Sequence, residues 1–234
     1  MNEVIELSKN NIVKKSERLI LSRYQLNPMA LKLVSALIAS MKTSDENDKE
    51  YIFHVKEFKE LLGTSSNRIY ELLDEATEEL LSKPIKIPTE NRKGFKKFNW
   101  VSKAEYVYGE GLIKFRVDRD LRPYLIEAKE RYLRYNIENI MKLKSTYSIR
   151  FYEILRDLVN KSSRYGKTNK HSLTIDWIRT TLEIPVSYRY NDIKRVVEKV
   201  QKELYKNSDI SFSFEEVKEG RKVVLLEFIV EKKD

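Results

Sequence analysis

Residues 173–204 read LTIDWIRTTLEIPVSYRYNDIKRVVEKVQKEL, and their pattern predicts the fold of the second half of the chain. It begins with a strand-like run, Leu173–Ile175, and a short helical segment, Asp176–Leu182. Pro185–Tyr190 has the composition of a turn. A longer segment then places apolar residues at helical spacing, namely Ile193, Val196, Val197, Val200 and Leu204. The pattern predicts a strand followed by a helix-turn-helix.

The flanking residues extend this pattern on both sides. A helix is predicted at Tyr147–Val159, before the strand. After the long helix, Ile210–Val217 and Lys222–Glu231 predict a β-hairpin around Glu219-Gly220. A helix-turn-helix followed by a hairpin is a winged helix, whose second helix can enter a major groove of DNA.

The first half of the chain repeats this order of elements. It predicts a helix from Asn27-Pro28, a strand at Tyr51–Val55, a helix at Lys56–Leu62 that Gly63 ends, a turn at Thr64–Asn67, a long helix, and a hairpin around Gly109-Glu110-Gly111. Five apolar positions of the long helices match at one offset of 124 residues: Ile69, Leu72, Leu73, Ala76 and Leu80 match Ile193, Val196, Val197, Val200 and Leu204. Three positions of the short helices match at an offset of 120: Val55, Phe58 and Leu62 match Ile175, Ile178 and Leu182.

We therefore predict an α+β fold of two tandem winged-helix domains related by internal duplication. The predicted boundaries are 1–125 for the first domain and 126–234 for the second. The first seven residues are expected to form a loose arm, and Asp118–Met141 to join the domains.

Composition limits the chemistry that the chain can perform. Cysteine is absent from the 234 residues, which excludes disulfide scaffolds, thiolate metal sites and thiol enzymes. The two histidines, His54 and His171, are far apart in sequence, and the six glycines form no phosphate-binding loop. We predict no enzyme activity, no cofactor and no metal. Apolar runs are too short to span a membrane, and residues 1–8 lack the basic start of a secretory signal, so a cytoplasmic protein is expected.

The formal charge of +9 is distributed unevenly. Residues 1–130 carry a net charge of +2, and residues 131–234 carry +7. The segment Arg68–Ser82, in the first long helix, has a net charge of −4, whereas Arg189–Lys202, in the second, has +3. Because DNA phosphates repel an acidic helix, we expect the second domain to be the main DNA-binding domain.

The candidate DNA-binding residues follow from this asymmetry. At the start of the second long helix, we expect base contacts from Tyr188, Arg189, Asn191, Lys194 and Arg195. Further contacts in the second domain are expected from Arg150, Lys218, Arg221 and Lys222, with Ser148 and Lys199 as additional candidates. In the first domain, the candidates are Ser65, Ser66, Asn67 and Arg68 at the helix start and Arg92, Lys93, Lys96 and Lys97 on the hairpin side. The alternative is that these residues form an ordinary solvated surface.

Residues 144–155, KSTYSIRFYEIL, resemble the segment that opens the second winged helix of the Rep_3-type plasmid replication initiators. Weaker resemblances occur at Tyr188–Leu204, at the closing hairpin, at Phe115–Leu125 and at Leu26–Met41. Together they cover most of the chain, from about Leu19 to Val230.

The resemblance implies a function beyond DNA binding. Initiators of this type bind direct repeats (iterons) in double-stranded origin DNA. They help to open the origin and to recruit the host initiator and the replicative helicase. As dimers they bind an operator inverted repeat and repress their own gene. The resemblance also implies that the first domain carries the dimer interface.

Three alternatives remain open from the sequence. A tandem winged-helix transcriptional repressor without a replication role would use the same residues. A nicking enzyme that starts rolling-circle replication needs a metal held by paired histidines, which the two isolated histidines argue against. An interaction module could use the basic surface to bind an acidic protein.

Overall fold

The computed structural model describes residues 4–89, 93–107, 109–126, 132–165 and 169–233. They form two compact units. Unit 1 contains the described residues up to Ser22 and from Leu26 to Lys142. Unit 2 contains Arg23–Gln25 and the described residues from Leu143 onward.

Unit 1 contains a winged helix with additional elements before and after it. It begins with β1 (Val4–Ile5), β2 (Ile12–Ser16) and α1 (Glu17–Ile20). The winged helix comprises α2 (Pro28–Ser40), β3 (Glu50–His54), α3 (Val55–Leu62), α4 (Ile69–Ser82), β4 (Ile85–Pro88), β5 (Phe95–Phe98), β6 (Val101–Val107) and β7 (Leu112–Val117). It closes with α5 (Arg122–Ile126), β8 (Tyr132–Asn136) and α6 (Glu138–Met141).

The ends of these helices follow from local chemistry. α2 begins at Pro28 because the Asn27 side chain accepts a hydrogen bond from the Ala30 N–H at 2.8 Å, and proline suits the first helical position. α3 ends at Gly63, which has a φ of 65°, the left-handed conformation that glycine adopts without strain. The predicted helix starts and stops are confirmed at both places.

The main sheet of unit 1 has the strand order β1-β3-β7-β6. β1 pairs in parallel with β3, so that Val4 lies beside Ile52. The prediction of a loose arm is therefore wrong for Val4–Ile5. β6 and β7 pair with Val107 opposite Leu112, so the predicted hairpin turn around Gly109-Gly111 is confirmed.

A second sheet of unit 1 pairs β2 with β8, which lie more than a hundred residues apart in sequence. Val13 and Leu133 from these strands are completely buried. The predicted connecting segment, Asp118–Met141, is therefore part of unit 1 and contains α5, β8 and α6. The structure divides the chain after Lys142, and the predicted boundary between residues 125 and 126 falls inside unit 1.

Unit 2 is a second winged helix. Its elements are α7 (Thr146–Tyr165), β9 (Lys170–Thr174), α8 (Ile175–Thr181), α9 (Tyr190–Asn207), β10 (Ile210–Glu219) and β11 (Lys222–Lys232). The sheet has the order β10-β11-β9. Phe228 on β11 packs against Phe212 and Phe151, with ring centroids 5.5 and 6.1 Å away, and these rings form the centre of the core.

The two units repeat the same topology, which confirms the predicted duplication. In each unit, the strand before the helix pair lies antiparallel to the second strand of the hairpin, β3 to β7 and β9 to β11. The long helices bury equivalent positions: Ile69, Leu73, Ala76 and Leu80 in α4 and Ile193, Val197, Val200 and Leu204 in α9.

A glutamate near the end of each long helix makes the same kind of contact. Glu79 on α4 accepts a hydrogen bond from the Asn27 N–H at 2.6 Å, at the start of α2. Glu203 on α9 accepts hydrogen bonds from the Lys144 N–H and the Ser148 hydroxyl, at the start of α7. Each carboxylate therefore joins the long helix of its unit to the start of another helix, α2 in unit 1 and α7 in unit 2.

Candidate nucleic-acid interface

The solvent-facing side of α9 carries a row of basic residues. Its members are exposed and follow one another at intervals of four, three and four residues: Arg195, Lys199, Lys202 and Lys206. This spacing places them on one face of the helix, over about 16 Å at 1.5 Å per residue. We call these four residues the basic row. They could neutralise successive phosphates along a DNA backbone.

The first turn of α9 is exposed and positioned by a cap. The Arg189 N–H donates to the Asp192 carboxylate at 2.9 Å, which fixes the start of the helix. Arg189 and Asn191 are exposed, and Tyr188 is half-buried. The Arg195 guanidinium lies 3.5 Å from Asp192, although its side chain is 78% exposed. Side chains that can hydrogen-bond to base edges are thus available where winged helices read DNA.

Lys194 has a partner within unit 2. Its ammonium group lies 2.7 Å from the Glu216 carboxylate on β10. The hydrogen bond raises the pKa of Lys194 and lowers that of Glu216, so both groups stay charged at neutral pH. A base contact by Lys194 would have to replace or share this pairing. Arg195 pairs less closely, at 3.5 Å from Asp192, and its side chain is far more exposed.

The hairpin of unit 2 carries three further exposed basic residues. Lys218, Arg221 and Lys222 lie at its tip, where Gly220 adopts a φ of 60°. Lys218 lies 4.0 Å from Glu216, at the limit of an ion pair. The tip therefore adds positive charge beside α9, in the position from which a wing contacts the DNA backbone.

Two predicted contacts in unit 2 are wrong, because the side chains are buried. Arg150 is 1% exposed, donates a hydrogen bond to the Tyr24 hydroxyl and lies 3.9 Å from the centroid of that ring. It also lies 3.9 Å from Glu153, which is fully buried. Ser148 is fully buried and donates its hydroxyl to Glu203. Both residues therefore stabilise unit 2 and cannot reach DNA from its surface.

In unit 1, the candidates before α4 lie in an exposed turn. Ser65, Ser66, Asn67 and Arg68 are all exposed. The Ser66 hydroxyl accepts the Arg68 N–H at 3.2 Å, and Asn67 accepts from Lys59 at 3.0 Å. The turn is therefore ordered by its own polar groups, and the Arg68 side chain is available for a phosphate.

Two of the other unit 1 candidates lie on the ribbon formed by β4 and β5 rather than on the β6–β7 hairpin. Lys96 and Lys97 are exposed on β5, and the Lys96 ammonium lies 3.3 Å from the Tyr124 hydroxyl. Lys93 is exposed just before this strand, and Arg92 lies outside the described residues.

The exposed face of α4 has the opposite charge to that of α9. Beside β6 and β7 lies a groove of about 430 Å³, whose rim includes Glu71, Asp74 and Glu78. Tyr70 and Tyr106 line the groove and pack edge to face, with ring centroids 5.9 Å apart. Such a surface repels phosphates, so the charge asymmetry read from the sequence is also present on the folded surfaces.

In the described part of the chain, no three His, Asp or Glu side chains come together as a metal site. No described helix is both long and apolar enough to cross a membrane.

Comparison with known proteins identifies the family. The family "Initiator Replication protein, WH1" matches residues 12–156, and "Initiator Rep protein, WH2" matches residues 174–230. The chain belongs to this replication initiator family. The family is one of replication initiators and is not a known class of enzymes.

Individual relatives of this initiator agree with the family match. A replication initiation protein of Escherichia coli is 26% identical over 227 residues, which are 94% of this chain and 69% of that protein. The crystal structure of the Pi initiator protein in complex with iteron DNA matches with a TM-score of 0.81 and 19% identity. That match covers 97% of this chain and 99% of the Pi chain. At this identity the similarity establishes a shared fold.

The structure also shows two features of the initiator that are missing from the predicted site. Lys202 and Lys206 extend the basic row beyond the predicted site. Val186, in the turn before α9, is 91% exposed. The spacing of Arg195, Lys199, Lys202 and Lys206 was a signal that could have found the full row, whereas exposure of Val186 depends on how the turn folds.

Proposed function

We propose that this protein initiates plasmid replication by binding direct repeats in double-stranded origin DNA, mainly through unit 2. The observation that carries the proposal is the basic row on the exposed face of α9, in a chain of the replication initiator family. The Pi initiator, which shares the fold, has been crystallised with iteron DNA, and this supports iterons as the target.

In this proposal, the first turn of α9 enters the major groove. Arg189, Asn191 and Arg195 are the base-contacting candidates, since arginine pairs with guanine and asparagine with adenine. Lys199, Lys202 and Lys206 bind phosphates, and the hairpin tip binds the backbone through Lys218, Arg221 and Lys222.

Unit 1 has an auxiliary role in DNA binding. Its acidic α4 cannot lie along phosphates, so its contacts are limited to Ser65–Arg68 and to the basic residues near β5, including Lys93, Lys96 and Lys97. We assign dimerisation to unit 1. Bound monomers then help to open the origin and to recruit the host initiator and the replicative helicase. Dimers repress the initiator's own gene at an inverted repeat.

A footprint on the DNA that flanks the gene tests this proposal. The purified protein is bound to this DNA with excess competitor, at two salt concentrations, and cleavage protection is mapped. We expect regularly spaced protection over direct repeats, and weaker binding at the higher salt because counterions are released on binding. Permanganate reactivity of unpaired thymines beside the repeats then tests origin opening.

The possible footprints separate the candidate functions. Protection of a promoter-proximal inverted repeat alone would favour a transcriptional repressor. Nicking of supercoiled origin DNA in the presence of a divalent cation would favour a nicking enzyme. An absence of specific protection with an intact fold would favour a module that binds an acidic protein.

A single substitution tests the base-reading role of Arg195. Arg195→Ala should weaken binding to the cognate repeat by about 1–3 kcal/mol and relax the preference at one base pair. Lys206→Ala, at the far end of the basic row, should weaken binding to all DNA sequences by the same factor. Uniform weakening by Arg195→Ala would instead make Arg195 a phosphate contact.

A further inference from the structure

The turn that leads into α9 is held by hydrogen bonds within unit 2. The Tyr188 N–H donates to the Pro185 carbonyl at 3.0 Å, which closes a four-residue turn. The Arg179 guanidinium on α8 donates to the Pro185 carbonyl at 2.8 Å and to the Tyr188 carbonyl at 2.6 Å. Both ends of the turn are therefore tied to one planar group, and the two residues between them have a fixed direction.

Val186 occupies the second position of this turn. Its exposed fraction of 91% is the largest of any large apolar residue in the described ranges. A single exposed apolar side chain is common on protein surfaces, so exposure alone indicates nothing. Val186 differs from other exposed apolar side chains in its position. It lies on a rigid turn just before Arg189 and Asn191, at the end of α9 that helix-turn-helix proteins direct at base edges.

We propose that Val186 contacts the 5-methyl group of a thymine and thereby contributes to sequence specificity. This inference rests on the proposed function, because it needs α9 in the major groove. Thymine is the one base that presents a methyl group there, and apolar side chains are its usual partners. Val186 has no side-chain hydrogen-bonding group and no charge, so a contact with it adds discrimination between bases without adding a phosphate contact.

Replacing thymine by deoxyuracil removes the methyl group and leaves base pairing unchanged. Each thymine of one protected repeat is replaced in turn, and binding is measured for the wild type and for Val186→Ala. For the wild type we expect one position at which deoxyuracil weakens binding about fourfold, the effect of one methyl-sized group. Val186→Ala should bind the unmodified repeat more weakly and should lose sensitivity to deoxyuracil at that position.

Two control variants show whether the effect belongs to Val186. Ile229→Ala removes another exposed apolar side chain of unit 2, on β11, and should keep the wild-type response. Arg195→Ala should weaken binding overall and still respond to deoxyuracil at the same position. Because Val186 is exposed, its alanine variant should fold normally, which circular dichroism checks.

The outcomes separate this inference from the proposed function. Specific binding in which no thymine position depends on Val186 would overturn the inference and leave the proposed function intact. Equal sensitivity of the wild type and Val186→Ala would do the same. A wild-type protein that binds no repeat at all would overturn both.

Discussion

The long helices α4 and α9 occupy the same place in their units and carry opposite charges. At the offset of 124 residues, three glutamates of α4 stand where α9 has basic residues: Glu71 for Arg195, Glu75 for Lys199 and Glu78 for Lys202. All six are exposed, whereas the apolar positions that both helices share are buried. The buried face of each helix specifies the winged helix, and the exposed face determines what the helix can bind.

This difference shows how one fold can serve two purposes in a single chain. Reversing an exposed charge on a helix changes stability little, because water solvates either sign. The same change reverses the interaction with a polyanion such as DNA. A duplicated winged helix can therefore exchange a basic face for an acidic one and keep its core, and in our proposal this limits the DNA contacts of α4.

Charge reversal on α9 should give the largest effect. We expect the triple variant Arg195→Glu, Lys199→Glu and Lys202→Glu to lose at least about a hundredfold in affinity for the repeat near 0.1 M salt. Fluorescence anisotropy over a range of salt concentrations measures this. The salt dependence should also weaken, by about 0.9 in the log–log slope for each phosphate that the variant no longer neutralises.

The reciprocal variant of α4 is the matched control. Glu71→Arg, Glu75→Lys and Glu78→Lys should leave specific affinity unchanged or raise non-specific affinity, since these positions do not face phosphates in our proposal. A comparable loss of affinity in both triple variants would show that α4 and α9 contribute equally to DNA binding. The proposed functional difference between the units would then be wrong.

Removal of the glutamate at the end of each long helix should give a smaller effect, on stability. Glu203→Ala leaves the buried Ser148 hydroxyl and the Lys144 N–H without their acceptor, and should cost about 2 kcal/mol of unfolding free energy. Glu79→Ala should cost about 1 kcal/mol, because it removes one backbone hydrogen bond, from Asn27, and a partly exposed ion pair with Lys83, and leaves no buried hydroxyl without its acceptor. Urea unfolding measures both.

Two comparisons identify the cause of this destabilisation. Glu198→Ala, on the same helix as Glu203, should change stability by less than about 0.5 kcal/mol. Ser148→Ala added to Glu203→Ala should cost less than the two single changes together, because both remove the same hydrogen bond. Strict additivity would show that the Glu203–Ser148 hydrogen bond contributes nothing.

The sequence predicted what is local and missed what depends on distant residues. Helix and hairpin positions follow from apolar spacing and from capping residues such as Asn27 and Gly63, which act within a few residues. The pairing of β2 with β8 joins segments that carry no mutual signal in one sequence. The boundary between the units was misplaced for the same reason.

The same distinction between local and distant interactions applies to the candidate site. The exposure of Asn191 and Arg195 could be predicted because helix periodicity places them away from the core, and that of Arg189 because it precedes the helix. Arg150 and Ser148 were misassigned because polar residues on an amphipathic helix are usually exposed, and only the fold supplies their partners, the buried Tyr24 and the half-buried Glu203. No local pattern distinguishes such an arginine from one on the surface.

The ends of α3 and α8 allow a last comparison of the two units. At the offset of 120 residues, Glu183 stands where unit 1 has Gly63, and both adopt positive φ, 49° and 65°. Each makes the same pair of terminal bonds: Ile184 N–H to Arg179 at 2.9 Å and Glu183 N–H to Thr180 at 3.4 Å, against Thr64 N–H to Lys59 at 3.0 Å and Gly63 N–H to Glu60 at 3.1 Å. Only glycine adopts this conformation without strain, so unit 2 stores strain that unit 1 avoids.

Replacing Glu183 by glycine should therefore stabilise unit 2. We expect Glu183→Gly to unfold with about 0.5–1 kcal/mol more free energy than Glu183→Ala, a reference that removes the same side-chain interactions and keeps the Cβ. Gly63→Ala should lower the stability of unit 1 by a similar amount, and for conformational reasons alone, because a Cβ at Gly63 would meet no atom within 4 Å. Urea unfolding of the three variants measures both differences. If Glu183→Gly were no more stable than Glu183→Ala, the positive φ of Glu183 would store no strain, and the difference proposed here between the ends of α3 and α8 would be wrong.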